Sequence, residues 1–193
     1  NHVSWLDVYA IHAVVPSRLV AKAEISRWPV LGLLATGTGT LFVERGRRHA
    51  VHAVNHKIAE HLQRGEVIGV YPEGTTSDGR SLLPFHANLV QPALDVQAQV
   101  RPVALRYLQE GQPSRAAIYA GNDHLLASLW RVLLAPRLVV EVHWLPPLPA
   151  HVDTRHEAAR LAREAIAAAL GINLPQTDRN RPESSGAAAS SAP

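Results

Sequence analysis

Short apolar runs alternate along the chain with stretches of helical periodicity. Several apolar runs are hydrophobic at nearly every position, which is typical of strands covered on both faces. The predicted strands are Arg18–Lys22, Leu41–Glu44, Glu66–Tyr71, Val100–Tyr107, Ala116–Ala120 and Leu138–Trp144. The predicted helices lie near Ser4–Ala13, Pro29–Thr36, Arg47–Arg64, Phe85–Gln97, Asp123–Leu134 and Thr154–Leu170. This alternation predicts an α/β domain with a mainly parallel sheet flanked by helices.

The last predicted helix marks the end of the domain. Thr154 and Glu157 form a capping box at its start, and Gly171 stops it. The residues from Gln176 to Pro193 end in a Gly/Ala/Ser/Pro tract with almost nothing to bury. The sequence therefore predicts one domain over residues 1–175 and a disordered tail over residues 176–193.

One predicted helix carries an unusually continuous apolar stripe, formed by Leu125, Leu126, Leu129, Trp130, Leu133 and Leu134. Such a stripe predicts packing into the core, with contact to a membrane surface as the alternative.

The amino-acid composition excludes several classes of functional site. The 193 residues include no Cys, which excludes disulfides, Cys-ligated zinc, iron–sulfur clusters and a thiol nucleophile. With 17 Arg, two Lys and a net charge of +3, the chain weakly favours anionic partners. The chain has no Met and has Asn at position 1, so we expect that an N-terminal part of the protein precedes it.

The first seven residues, Asn1-His2-Val3-Ser4-Trp5-Leu6-Asp7, allow two interpretations. In the first, Ser4 and Asp7 form a capping box that starts a helix. In the second, His2 is a base and Asp7 the carboxylate that orients it. On one continuous helix the two side chains would point about 140° apart, so the second interpretation requires His2 to precede the helix. Both interpretations can hold together, because the cap would create that geometry.

Two later segments combine a strand end with polar groups. Arg45, Arg47 and Arg48 follow a predicted strand, where open α/β sheets bind ligands, although a solvated helix start is the alternative. The segment from Val70 to Gly79 runs into a tight turn with a carboxylate, hydroxyls and backbone amides. Such a turn can bind a phosphate or a hydroxyl, and a plain strand–turn connection is the alternative.

Three histidines, His49, His52 and His56, fall at helical spacing. Without a His-Glu-x-x-His pattern or nearby carboxylate ligands they do not predict a metal site. We therefore expect no metal.

Taken in order, these segments resemble motifs of the 1-acyl-glycerol-3-phosphate acyltransferases, also called lysophosphatidic acid acyltransferases. The first segment resembles the family's His, four residues, Asp motif. The other three motifs correspond to Gly39-Thr40-Leu41-Phe42-Val43-Glu44-Arg45, Tyr71-Pro72-Glu73-Gly74-Thr75-Thr76-Ser77 and Val100-Arg101-Pro102-Val103-Ala104. The resemblance spans about residues 1–145 and implies a glycerolipid-acyltransferase-like α/β fold.

The resemblance implies that an acyl group passes from acyl-CoA or acyl-carrier protein to a lysophospholipid hydroxyl, with no cofactor. His2 would be the base and Asp7 its orienting partner, while Arg45 would hold the acceptor's anionic head. Glu73 would hydrogen-bond the acceptor's hydroxyls or order the Arg cluster. Amides of the turn formed by Gly74, Thr75 and Thr76, or the Lys22 ammonium, would face the oxyanion.

One position departs from the family's pattern, in which the third motif usually has Arg where this chain has Thr76. The acceptor therefore stays open between a phosphate monoester and another lyso-lipid, such as lyso-ornithine lipid. The resemblance also implies work at the cytoplasmic side of the inner membrane of a bacterium, with attachment at the surface or through a preceding segment.

Two rival functions remain at this point. One is a non-catalytic basic binding module, although no nucleic-acid motif is present and we expect no nucleic-acid partner. The other is an esterase or thioesterase that uses water as the acceptor.

Overall fold

A computed structural model of the chain describes residues 1–28, 31–43 and 48–175. The helices are α1 (Asp7–Val14), α2 (Leu31–Gly37), α3 (Arg48–Gln63), α4 (Gln91–Asp95), α5 (Leu125–Leu134) and α6 (Arg155–Leu170). The strands are β1 (Arg18–Lys22), β2 (Leu41–Val43), β3 (Ile68–Gly69), β4 (Val103–Gln109), β5 (Gln112–Pro113) and β6 (Leu138–Trp144). Two short 3₁₀ turns occur at Ala23–Arg27 and Ala87–Leu89. The predicted tail, residues 176–193, lies outside the described residues.

The first half of the chain forms a parallel sheet in the order β2-β1-β3. Val20 of β1 lies opposite Leu41 of β2, and Arg18 lies opposite Ile68 of β3. The carboxyl ends of the three strands therefore meet at one edge, which receives the chain leading into the third motif. The predicted α/β fold is confirmed.

The second half forms a separate sheet, in the order β5-β4-β6, and its pairings are antiparallel. A two-residue turn joins β4 to β5, with both Glu110 (φ 53°) and Gly111 (φ 77°) in the left-handed region. That conformation matches the twist of a tight hairpin, so local turn chemistry favours the antiparallel pairing of β4 with β5. The parallel prediction thus holds for the first sheet, and the second sheet differs from it.

One predicted strand is wrong. Residues 116–117 form a turn and residues 118–120 are irregular, because the Ile118 amide bonds back to the Arg115 carbonyl and the Tyr119 amide donates to the Val3 carbonyl. The apolar run is nevertheless buried at Ala117, which contacts Val3 and Tyr107 in the core.

Helix α6 packs against β4 through small side chains. Ala104 of β4 is fully buried beside Ile166 and Ala167 of α6, and Leu82 completes this cluster. The predicted boundaries of α6 are confirmed, since the Thr154 hydroxyl accepts the Glu157 amide at 3.3 Å and Gly171 ends the helix at φ 68°. A glycine is needed at that left-handed position because a Cβ would be strained there.

The core prediction for the α5 stripe is wrong. Leu126, Leu129, Trp130, Leu133 and Leu134 are all exposed, whereas Ser128 on the opposite side of the helix is fully buried. Among the described residues, no helix combines the length and the apolar character needed to cross a membrane.

Candidate active site

The first four residues run between the third motif and β4. The Asn1 side chain pairs with the backbone of Leu105, accepting its amide at 2.8 Å and donating to its carbonyl at 2.9 Å. The His2 carbonyl accepts the Ser77 amide at 2.8 Å. Contacts with two distant parts of the chain therefore hold the backbone of His2 in place.

Asp7 is the first residue of α1, and its carboxylate is fully buried among four donors. Its Oδ2 accepts the amides of Val3 (2.7 Å) and Ser4 (3.0 Å) and also faces Nδ1 of His2 at 2.8 Å. Its Oδ1 accepts the Tyr107 hydroxyl at 2.8 Å. The carboxylate thus reaches back to the Ser4 amide, as in a capping box, and holds the histidine with the same oxygen.

The His2 ring is oriented from two sides. It stacks on the Tyr71 ring with centroids 4.0 Å apart and planes inclined by 21°. Because a carboxylate can only accept, Nδ1 of His2 carries the proton that bonds to Asp7, and Nε2 is left as the basic nitrogen. Nε2 has no partner among the described residues, and the side chain is 18% exposed. A ligand can therefore reach the basic nitrogen.

Glu73 is buried, and backbone amides occupy both of its carboxylate oxygens. Oε1 accepts the amide of His2 at 2.7 Å, and Oε2 accepts the amide of Leu83 at 3.0 Å. These contacts are those of a residue that positions His2. The roles predicted from the sequence, binding acceptor hydroxyls or ordering arginines, do not correspond to any contact of Glu73 in the described residues.

The turn after Glu73 presents backbone amides beside the histidine. Gly74 has φ 71°, a left-handed conformation, and its amide donates to the Tyr71 carbonyl at 3.0 Å. Thr75 is exposed and Thr76 half-buried, and within the described part of the chain their amides have no partner.

Of the two predicted basic residues, only Lys22 lies in the described part of the chain. Lys22 is exposed at the end of β1, opposite Val43, and shares no hydrogen bond or ion pair with the histidine cluster in the described residues. Arg45 lies outside the described residues.

Two tyrosines of the site were not assigned a role by the sequence. The phenol of Tyr107 bonds to Asp7, and burial together with the charge of Asp7 raises its pKa well above the usual value. Burial first, and the Asp7 charge second, likewise raise the pKa of Tyr71, whose hydroxyl has no partner in the described residues. Both phenols therefore stay neutral near pH 7. A buried phenol needs a hydrogen-bond acceptor, but the sequence could not identify Asp7 as that acceptor.

An apolar cavity of about 350 Å³ opens beside the histidine cluster, with Asn1 and Tyr71 among its lining residues. The rest of its wall is largely aliphatic and aromatic, including Leu19, Ile58, Phe85, Leu89, Val103 and Ile166. Its volume falls in the range of small-ligand sites, roughly 300–1,000 Å³.

The geometry is that of a general base prepared for proton transfer. A buried carboxylate fixes the tautomer and orientation of an imidazole and stabilises the positive charge that forms on it. No serine or threonine hydroxyl contacts the imidazole in the described residues, and Nε2 is open to a hydroxyl from outside the protein.

The chain is similar in sequence to known proteins. A family model described as Acyltransferase matches residues 1–106. Lyso-ornithine lipid O-acyltransferase from Pseudomonas aeruginosa is 41% identical over 170 residues, which make up 88% of this chain and 66% of that protein. A 1-acyl-sn-glycerol-3-phosphate acyltransferase from Neisseria gonorrhoeae is 42% identical over 145 residues, or 75% of this chain and 57% of that protein.

The fold is similar to that of a solved structure, the 1-acyl-sn-glycerophosphate (LPA) acyltransferase PlsC from Thermotoga maritima. The TM-score is 0.57 at 19% identity, over 89% of this chain and 63% of that chain. At this identity the likeness concerns the fold alone. The chain spans 66% of the length of the Pseudomonas aeruginosa protein and 57% of the length of the Neisseria gonorrhoeae protein. Because the family model covers more than half of the 193 residues, the resemblance seen in the sequence is confirmed and the chain belongs to the acyltransferase family.

Proposed function

We propose that the protein transfers a fatty acyl group from acyl-CoA or acyl-carrier protein to the free hydroxyl of a lysophospholipid. With 1-acyl-glycerol-3-phosphate as the acceptor, the product is phosphatidic acid. The observation that carries this proposal is the 2.8 Å contact between His2 and the fully buried Asp7, which leaves Nε2 of the histidine open.

The reaction needs one base and no covalent acyl-enzyme, because a thioester is already activated. Nε2 of His2 takes the proton of the acceptor hydroxyl while the hydroxyl oxygen bonds to the thioester carbon. The resulting tetrahedral oxyanion then collapses, the carbon–sulfur bond breaks, and the histidine returns its proton to the thiolate. Asp7 stabilises the imidazolium between the two proton transfers.

The oxyanion requires hydrogen-bond donors. The amides of Thr75 and Thr76 are suitable because they have no partner among the described residues and lie two and three positions after Glu73, which bonds to the amide of His2. The Lys22 ammonium, exposed at the end of β1, is less favourable because it makes no contact with the cluster.

The apolar cavity supports the binding of an acyl chain. Its largely apolar wall would bind a fatty acyl chain by removing the chain from water. Tyr71 lines the cavity and also stacks on the His2 ring, so the cavity adjoins the histidine. An insoluble product also implies work at a bilayer, so we place the protein on the cytoplasmic face of the inner membrane, attached at the surface or through a preceding segment. Arg45 would hold the anionic head of the acceptor.

A second acceptor is favoured by one residue. Thr76 stands where the family usually has Arg, so this position cannot provide the guanidinium that would bind a phosphate monoester bidentately. The relative from Pseudomonas aeruginosa is named for lyso-ornithine lipid, which makes that acceptor the alternative to lysophosphatidic acid.

The test is an acyl-thioester consumption assay across a panel of lyso-lipids, with products identified by mass spectrometry. His2→Ala should lower acyl transfer roughly 10²–10⁴-fold while the thermal unfolding transition stays in place. His151→Ala is the matched control, because His151 is exposed and makes no contact with the site. Undiminished turnover in His2→Ala would refute the base assignment, and thioester consumption without any acceptor would identify a thioesterase.

A further inference from the structure

Helix α5 presents its apolar side to the outside of the protein. At 100° per residue, Leu129, Leu133, Leu126, Trp130 and Leu134 follow one another around an arc of about 140°. Leu126, Leu133 and Leu134 are 71%, 65% and 75% exposed, and Trp130 is 63% exposed. The arc contains no charged side chain. A helix of a water-soluble surface shows the opposite pattern, with polar residues outward.

The inner side of α5 is where its polar residue lies. Ser128 is fully buried, and its hydroxyl accepts the indole N–H of Trp5 at 3.1 Å. Trp5 lies between His2 and Asp7 in the sequence. The contact therefore fixes α5 directly against the segment that carries the base and its carboxylate.

Two arginines lie beside α5: Arg137 follows its last residue by three positions, and Arg115 adjoins Ala116, whose carbonyl accepts from Arg131 at 3.5 Å. Asp123, just before the helix, forms an ion pair with Arg131, whose guanidinium donates to both carboxylate oxygens at 2.6 and 3.0 Å. Arg115 and Arg137 are exposed, and neither side chain has a partner among the described residues. A hydrocarbon face with an arginine rim complements a bilayer with anionic headgroups, whereas a protein groove would need acidic groups at these positions.

We propose that the outward face of α5, defined by Leu126, Leu129, Trp130, Leu133 and Leu134, inserts into the surface of an anionic bilayer. The opposite side of the same helix contacts Trp5 through Ser128, so insertion of this face would hold the segment that carries His2 close to the bilayer surface. This inference rests on the proposed function, because a lipid acceptor would be reached at a bilayer surface. Insertion itself is measured without turnover.

The test is sedimentation of the full chain with vesicles of phosphatidylethanolamine and phosphatidylglycerol in a 3:1 ratio. Leu133→Ser should lower the vesicle partition coefficient on the order of tenfold, since the leucine side chain would lose its burial in hydrocarbon. The matched control is Leu33→Ser on α2, where the leucine is 77% exposed, and its partition should stay within about twofold of the wild type. Replacing phosphatidylglycerol with phosphatidylcholine should also weaken binding, because the arginine rim then faces no net charge.

A second measurement locates the contact. Vesicles containing brominated lipid should quench Trp130, and Trp130→Phe should bind equally well while most of the quenching disappears. The proposed insertion of α5 would be refuted if Leu133→Ser bound vesicles like the wild type or if quenching persisted in Trp130→Phe. A wild-type dimer that Leu133→Ser dissociates, seen by analytical ultracentrifugation, would instead assign the face to a second copy of the chain.

The two proposals fail in distinguishable ways. Acyl transfer to a short-chain, water-soluble lyso-lipid is measured in parallel without vesicles. If that activity is absent while vesicle binding follows the pattern above, the proposed function fails and the docking face stands. If the activity is present and vesicle binding is unaffected by Leu133→Ser, the docking face fails alone.

Discussion

Replacing Glu73 with Gln separates two roles for this residue, positioning the base and binding the acceptor. The carboxylate is 3% exposed and accepts one amide on each oxygen, from His2 at 2.7 Å and from Leu83 at 3.0 Å. A glutamine keeps the shape but has one oxygen and one NH₂ group. One of the two backbone amides must then face a donor.

The cost follows from the contacts that are lost. A buried amide without an acceptor costs about 1–3 kcal/mol, and the remaining bond loses roughly 1 kcal/mol of charge assistance. Relief from burying a charge offsets part of this, so the net loss of folding free energy should be about 2–3 kcal/mol. For a domain of this size that corresponds to a fall in Tm of roughly 4–12 °C.

Thermal unfolding and steady-state kinetics check this prediction together. Because the backbone of His2 would shift, kcat should fall by tenfold or more, with little change in the KM for the lyso-lipid. Glu60→Gln is the matched control on α3, where the carboxylate is partly exposed, and it should leave Tm and kcat unchanged. A Glu73→Gln enzyme with unchanged Tm and kcat but a raised acceptor KM would show that Glu73 binds substrate, and the positioning role would be wrong.

Three further changes address other parts of the molecule. Tyr107→Phe removes the phenol that donates to Asp7 and should lower kcat several-fold and stability by about 1 kcal/mol; full activity would show that this bond is unimportant. Hydrogen bonds from Arg18 and His61 lower the pKa of Glu66 from 4.5 to about 2. Its stabilising contribution is therefore present above pH 4.5 and is lost as the pH falls towards 2, so acid titrations of Glu66→Gln should be flatter over this window than those of the wild type. Thr76→Arg should shift preference towards phosphate-bearing acceptors, and an unchanged acceptor ranking would show that position 76 does not set specificity.

The parts of the site that could be predicted from sequence are those fixed by neighbouring residues. Ser4 and Asp7 lie within one turn of the helix start, and their capping pattern predicts that the Asp7 carboxylate bonds back towards Ser4. The same carboxylate oxygen meets the ring of His2, so this contact could be predicted from neighbouring residues. The role of Glu73 could not be predicted, since its partners are 71 positions before it and 10 positions after it. Which amide meets a buried carboxylate depends on how the third motif packs on the first segment.

The error at α5 has a similar origin. Helical periodicity predicts a face, but it does not reveal whether protein or another apolar phase covers that face. Ser128 interrupts the side opposite the most exposed leucines, and its buried contact with Trp5 determines which side faces the protein. The antiparallel pairing of β4 with β5 depends on the two-residue turn at Glu110 and Gly111, which apolar patterning alone does not predict.

The threading of the first residues between distant segments also has a consequence for biosynthesis. His2 is held by Glu73 and Ser77, and its carboxylate partner by Tyr107, across sequence separations of 71, 75 and 100 residues. At a translation rate of about 5–20 residues per second, the histidine emerges from the ribosome several seconds before the tyrosine. The His2 ring and its Asp7 partner therefore reach their final arrangement only after β4 has been made and has docked. Recovery of activity on refolding should accordingly be among the last signals to appear, which makes turnover a sensitive reporter of complete folding.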